Sequence, residues 1–244
     1  MTRMVLLPGM DGTGALFGPL LRALPPEVEP SVVRYPRDLP MDRAELQAFV
    51  ADAMPKGEPY VLVAESFSGP PAILHAAARP PGLRALVLSA TFASNPLPPS
   101  LHWLRVFLSS GIFRVGMPEE FVRTFLAGRD CTPELMDLVM EVFRGLDPDV
   151  MAHRLRQVLD VDVEDSVASI AVPTLYLGGD ADRLVGLRGL AQIGPRLPGM
   201  ATVVLEGPHL LLQARPEEAV REILAFLGPL GEKGTGRGSP APPT

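Results

Sequence analysis

The 244-residue sequence holds a single cysteine, Cys131, so no disulfide can close within the chain and a reducing compartment fits best. Lysine occurs only at Lys56 and Lys233, which leaves nearly all the basic charge on arginine; that bias reads as codon usage rather than as an arginine-built site. Basic charge is also in deficit. With 22 basic against 28 acidic side chains the formal net charge is −6, and a phosphate backbone would meet repulsion over most of the surface, so no nucleic-acid partner is expected. Long apolar runs are missing too: no stretch of about 18 residues is unbroken enough to cross a bilayer. The N-terminal run Met1–Gly9 is interrupted too early for a signal-peptide core. The expectation is a soluble, cytoplasmic protein, with its oligomeric state left open.

What is present suits one α/β domain. Apolar residues make up 47% of the chain, enough for a single core at this length, which excludes wholesale disorder. Short β-rich runs at Met4–Leu7, Val32–Tyr35, Tyr60–Ala64 and Ala85–Ser89 alternate with helical patterns at Ala15–Ala23, Asp42–Met54 and Phe67–Arg79. That alternation predicts stacked βα units around a parallel sheet whose strands are covered on both faces. The rhythm stops at the breaker cluster Asn95-Pro96-Leu97-Pro98-Pro99, and helices are predicted over Leu101–Ser110, Glu119–Leu126, Pro133–Phe143 and Asp149–Leu159. It resumes with strands at Thr174–Leu177 and Thr202–Leu205 and helices at Leu187–Ile193 and Pro216–Leu227. The expected organisation is a core of residues 1–92 and 169–228, a helical cap of 93–168, and a disordered Gly- and Pro-rich tail of 229–244.

The run Val61-Leu62-Val63-Ala64-Glu65-Ser66-Phe67-Ser68-Gly69 sets a serine between a buried strand and a helix. The small residues Ala64 and Ser68 let strand and helix approach closely, so that a sharp turn can thrust the Ser66 hydroxyl outward; the plainer alternative is a helix cap. A hydroxyl needs a base, and of the four histidines His209 alone follows a predicted strand at the sheet edge where an open parallel sheet forms its crevice. His75, His102 and His153 read as packing or surface residues. A catalytic imidazole needs an orienting carboxylate, and Gly178-Gly179-Asp180-Ala181-Asp182 offers two. Asp182 is favoured; Asp180 reads as a turn former bonding backbone amides. Backbone donors for an oxyanion are expected from Phe67 and, in the loop Pro8–Gly14, from Met10.

On Ser66, Asp182 and His209, in that order and each after a strand, the chain resembles the α/β-hydrolase superfamily over about residues 3–227. The resemblance implies an open, mostly parallel sheet with helices on both faces and a cap inserted after the family's sixth strand. It gives Ser66 the role of nucleophile, Asp182 of acid, His209 of base, and Met10 and Phe67 of oxyanion donors. Pro8-Gly9 stands where many members have His-Gly, and Ala64 and Ser68 replace the elbow glycines. The implied activity is a serine hydrolase of the carboxylesterase type, acting on a small-molecule ester with a small to medium hydrophobic acyl group, with thioesters open to the same groups and no cofactor or metal. Acyl transfer or peroxidase chemistry on the same fold is the alternative.

Trp103, Phe107 and Phe113 in the cap are candidates for the substrate pocket, or only pack the cap onto the sheet. Met117, Met136, Met140 and Met151 read as core filler. Glu65 stays open, either competing for His209 or pointing to solvent. Two rival readings remain. A non-catalytic binding module has no residue in its favour, and a dinucleotide site would rest on Gly12-Thr13-Gly14, Gly18 and Arg34, whose spacing departs from the strict motif.

Overall fold

The computed structural model describes residues 2–97, 111–114 and 116–234. Six strands form one all-parallel sheet: β1 (Thr2–Leu7), β2 (Val28–Val32), β3 (Tyr60–Glu65), β4 (Leu83–Ser89), β5 (Thr174–Gly179) and β6 (Ala201–Leu205), in the order β2-β1-β3-β4-β5-β6. Side chains alternate across the sheet. Val5, Leu7, Leu62, Ala64, Leu86 and Leu88 fill one face, and Met4, Leu6, Val61, Val63, Ala85 and Val87 fill the other. The central strands are thus covered twice, as their continuous apolar runs predict, whereas the edge strands β2 and β6 are half exposed.

The first helices are α1 (Gly18–Ala23), entered through a 3-10 turn at Ala15–Phe17, α2 (Arg43–Ala53) and α3 (Gly69–Ala77). Between β4 and β5 lie α4 (Gly111–Arg114), α5 (Glu119–Phe121), α6 (Pro133–Arg144), α7 (Pro148–Asp160) and α8 (Glu164–Val167). Then come α9 (Arg188–Ile193), α10 (Leu211–Ala214) and α11 (Pro216–Gly234). Helix starts follow their capping chemistry: Asp42 and Glu45 form a capping box, Thr132 accepts from Leu135 N, and Asp147 accepts from Asp149 N and Val150 N.

Three expectations need correction. The second strand occupies Val28–Val32 rather than Val32–Tyr35. Pro30 argues against a strand, but β2 is an edge that pairs only with β1, where a missing N–H is tolerated, and Val33 and Tyr35 turn inward instead. The predicted helix over Glu119–Leu126 divides into α5 and a π-helical turn at Val122–Leu126. The last helix continues to Gly234, past the start of the expected disordered tail, because extending a helix docked through Ala219, Val220 and Ile223 costs far less than nucleating one. The helix predicted over Leu101–Ser110 and the tail beyond Gly234 lie outside the described residues.

Strand order places the site. The chain runs from β1 outward to β2, then returns across the sheet to β3, so the loops leaving β1 and β3 diverge at their C-terminal ends. Such a reversal opens a crevice above the sheet.

Candidate active site

Ser66 stands at the top of β3 with φ 49°, in the left-handed region that a side chain rarely adopts, at a cost of about 1–3 kcal/mol. The surroundings fix it there. Thr91 Oγ1 donates to the Ser66 carbonyl at 2.5 Å, and a Cβ on Gly69 would fall 1.8 Å from that same Oγ1. Ser68 Oγ donates to the Pro8 carbonyl and receives the Tyr35 hydroxyl at 2.6 Å, which ties the turn to the loop after β1. Ala64 and Ser68 are both fully buried, and Gly69 lets Thr91 pack where a Cβ would stand.

His209 follows β6 and is 3% exposed. Its Nε2 lies 2.9 Å from Ser66 Oγ and its Nδ1 2.9 Å from Asp182 Oδ2. The second Asp182 oxygen, Oδ1, accepts from Leu184 N at 2.8 Å and Val185 N at 3.0 Å. Burial pushes the Asp182 carboxyl up, but the His209 charge, the hydrogen bond from His209 and the two amides outweigh it, leaving the group below its ordinary value. An ionised Asp182 only accepts, so Nδ1 carries the proton and Nε2 presents a lone pair to the serine hydroxyl. For His209, burial works against the charged ring, yet Asp182, joined by Glu65 when that carboxyl is ionised, holds its proton affinity above the ordinary value. Asp180 is exposed and accepts from Gly207 N at 3.1 Å, tying the loop after β5 to the loop that carries His209.

No family model matches the sequence. The chain is 27% identical over 248 residues to a pimeloyl-[acyl-carrier protein] methyl ester esterase of Xanthomonas axonopodis pv. citri, covering 92% of this chain and 94% of that protein. It is 28% identical over 254 residues to the polyketide synthase ThaQ of Burkholderia thailandensis, covering 92% of this chain but only 12% of ThaQ's length. Among solved structures, MenH from S. aureus superposes with a TM-score of 0.77 at 15% identity and 94% coverage of both chains. An alpha/beta hydrolase from a deep-sea metagenome library gives 0.72 at 15% identity, covering 93% of this chain and 89% of that one. The chain has the α/β-hydrolase fold.

On that fold, a cavity of about 780 Å³ opens over Ser66 and His209, with Met10, Phe67 and Glu65 on its wall. Phe113 lines it, together with Phe121, Leu126, Phe143 and Leu155 from the helices after β4. Trp103 and Phe107 lie outside the described residues. Met117, Met140 and Met151 also line the cavity, so the reading of these methionines as filler covers only part of their placement; Met136 packs in the helical core. Other histidines stay apart: His75 Nε2 pairs with the Tyr60 hydroxyl at 2.6 Å, and His153 Nε2 with the Met41 carbonyl at 2.9 Å. His102 lies outside the described residues.

Two features escape a reading of the sequence alone. Glu65 does not reach solvent; it is 1% exposed beneath the cavity and receives Gln213 Nε2 at 3.1 Å. Arg154, dismissed with the other arginines as composition, is a built element. It rises from α7, 5% exposed, and donates to the carbonyls of Met10 (2.9 Å), Asp11 (2.8 Å) and Pro36 (2.8 Å) with its guanidinium 5.8 Å from the Tyr35 ring centre. A signal was available: Arg154 interrupts the apolar stripe Val150, Met151, Leu155, Leu159. The same geometry removes the basis of a dinucleotide site. A Cβ on Gly12 would lie 2.4 Å from Arg154 Nη1, so the glycine loop is filled by a side chain of this protein, and Arg34 is exposed beyond the end of β2.

Proposed function

We propose that the protein is a carboxylic ester hydrolase that works through an acyl-enzyme on Ser66. What carries the reading is the unbroken hydrogen-bond line from Ser66 Oγ through His209 to Asp182, aimed into an apolar cavity by a strained turn. His209 Nε2 removes the hydroxyl proton as Oγ attacks the ester carbonyl, and the amides of Phe67 and Met10 receive the oxyanion, each such donor worth about 10²–10³ in rate. The tetrahedral adduct collapses as His209 returns the proton to the leaving alcohol, and water, activated by the same imidazole, releases the acid. Asp182 orients the ring and stabilises its charged form. In this reading residues 93–168 act as the cap, and the cavity takes a hydrophobic acyl chain.

The test is a burst assay with a chain-length series of p-nitrophenyl esters, run beside Ser66→Ala. A burst equal to the enzyme concentration, with turnover falling by about 10⁴–10⁶ in the variant, is expected. Equal turnover in Ser66→Ala overturns the mechanism. A second reading, in which the ester sits on a carrier protein, draws on the relative named as an acyl-carrier-protein methyl ester esterase. It predicts that a carrier-linked methyl ester is cleaved with a higher kcat/KM than the free ester of the same acyl chain.

A further inference from the structure

Glu65 has no task in the mechanism just described, although it precedes Ser66 directly and lines the same cavity. It ends β3, a strand covered on both faces, and is itself 1% exposed. The groups facing it come from every neighbouring element. Gln213 on α10 donates to Oε2, His209 approaches from the loop after β6, and Asp11 and Gly9 close in from the loop after β1, a Cβ on Gly9 falling 3.7 Å from Glu65 Oε2. The guanidinium of Arg154 is held by the carbonyls of Met10 and Asp11 in the same loop.

Among the described residues, Glu65 Oε1 and Gln213 Oε1 are buried without a hydrogen-bond partner. They belong to two side chains already joined through Gln213 Nε2 and Glu65 Oε2. An ionised Glu65 leaves both as unpaired acceptors in dry protein, which is costly for each. One proton on Glu65 Oε1 serves both oxygens. An acid O–H there would donate to the Gln213 amide oxygen while the amide N–H donates to the acid carbonyl, completing a ring of two hydrogen bonds with the one already present.

We propose that Glu65 holds its proton in the working enzyme, locked in this cyclic pair with Gln213, and that its neutrality is what keeps His209 available as a base. Glu65 is in this sense a positioning residue, and the inference rests on the serine-hydrolase reading above. With Glu65 neutral, Asp182 is the one carboxylate hydrogen-bonded to the imidazole, and Glu65 adds no negative charge of its own beside the developing oxyanion. Burial pushes the Glu65 carboxyl up to about 7, and Asp11 adds to this while Gln213 and His209 oppose it. As pH rises through that value the carboxyl ionises, holds a proton on His209 more tightly and repels the oxyanion, so turnover falls.

The test pairs the pH profile of kcat/KM on a p-nitrophenyl ester with infrared spectra of the same proteins, for wild type, Glu65→Gln and Gln213→Met. Wild type is expected to show a descending limb near neutral pH, about tenfold per pH unit, and a protonated-carboxyl band that disappears over the same range. Glu65→Gln loses both, and Gln213→Met shifts the limb. A descending limb unchanged in Glu65→Gln, or a wild type without the band on the acid side, overturns the proposal. The infrared titration of wild type alone decides the protonation state if either variant fails to fold. Covalent labelling of Ser66 by a fluorophosphonate tests the hydrolase reading by itself, so the two ideas fail separately.

Discussion

Asp182 carries two duties on its two oxygens, one toward His209 and one toward the amides of Leu184 and Val185. An asparagine there keeps one oxygen for the amides only by turning its NH₂ toward Nδ1, which forces the imidazole into the wrong tautomer. Asp182→Asn is therefore expected to lower kcat by about 10⁴. Asp180→Asn retains an oxygen for Gly207 N and is expected to stay within about threefold; steady-state kinetics on one ester ranks the pair, and the reverse order would reassign the acid. That Asp182 rather than Asp180 would meet His209 was legible because its carboxylate precedes a loop that reaches inward. The direction of Glu65 was less so, although two covered faces on its strand already leave a terminal carboxyl nowhere to go but inward.

At the scale of elements, α7 does more than roof the cavity. Arg154 holds the carbonyls of Met10 and Asp11, and so restrains the two peptide units that follow Met10 in the loop after β1. Arg154→Met is expected to leave those carbonyls and Asp11 without their cation, costing on the order of 3–5 kcal/mol of stability and roughly 10²-fold in kcat through displacement of the loop after β1 beside Ser66. Urea unfolding reads the first and kinetics the second. Added guanidinium should restore part of kcat; an unchanged kcat in the variant would detach the arginine from turnover. Most elements were readable from apolar periodicity and from caps such as Thr132 and Asp147. What escaped was long-range: an edge strand that accepts Pro30, and an arginine whose partners lie more than a hundred residues away in the chain.

For the whole molecule, the buried carboxylates and imidazole set how stability depends on pH. Glu65 lies above its ordinary 4.5, at about 7, so the folded chain binds that proton more tightly than the unfolded one. Its contribution is complete below 4.5 and is lost as pH rises through 7, on the order of 3 kcal/mol at about 1.4 kcal/mol per unit. His209, also raised, acts in the same direction from 6.5 upward. Asp182, lowered from 3.8, stabilises above that value and loses its effect as pH falls through its folded one. Maximum stability is therefore expected on the acid side of neutrality, and Glu65→Gln should flatten the decline between pH 4.5 and 7 in urea titrations at fixed ionic strength. A wild type that gains stability over that range would contradict the assignment.

The space left by Gly12 bears on exchangeability. Because the guanidinium from α7 occupies the volume where a Cβ on Gly12 would sit, the segment between β4 and β5 and the loop after β1 are complementary halves of one fitting. A chimera that imports a foreign segment 93–168 without an arginine at that point would leave a hole over three carbonyls, and a side chain at position 12 would shut out the native one. A grafted segment is thus expected to seat on this sheet only when both halves travel together, which makes the pair, rather than the helical segment alone, the unit of exchange.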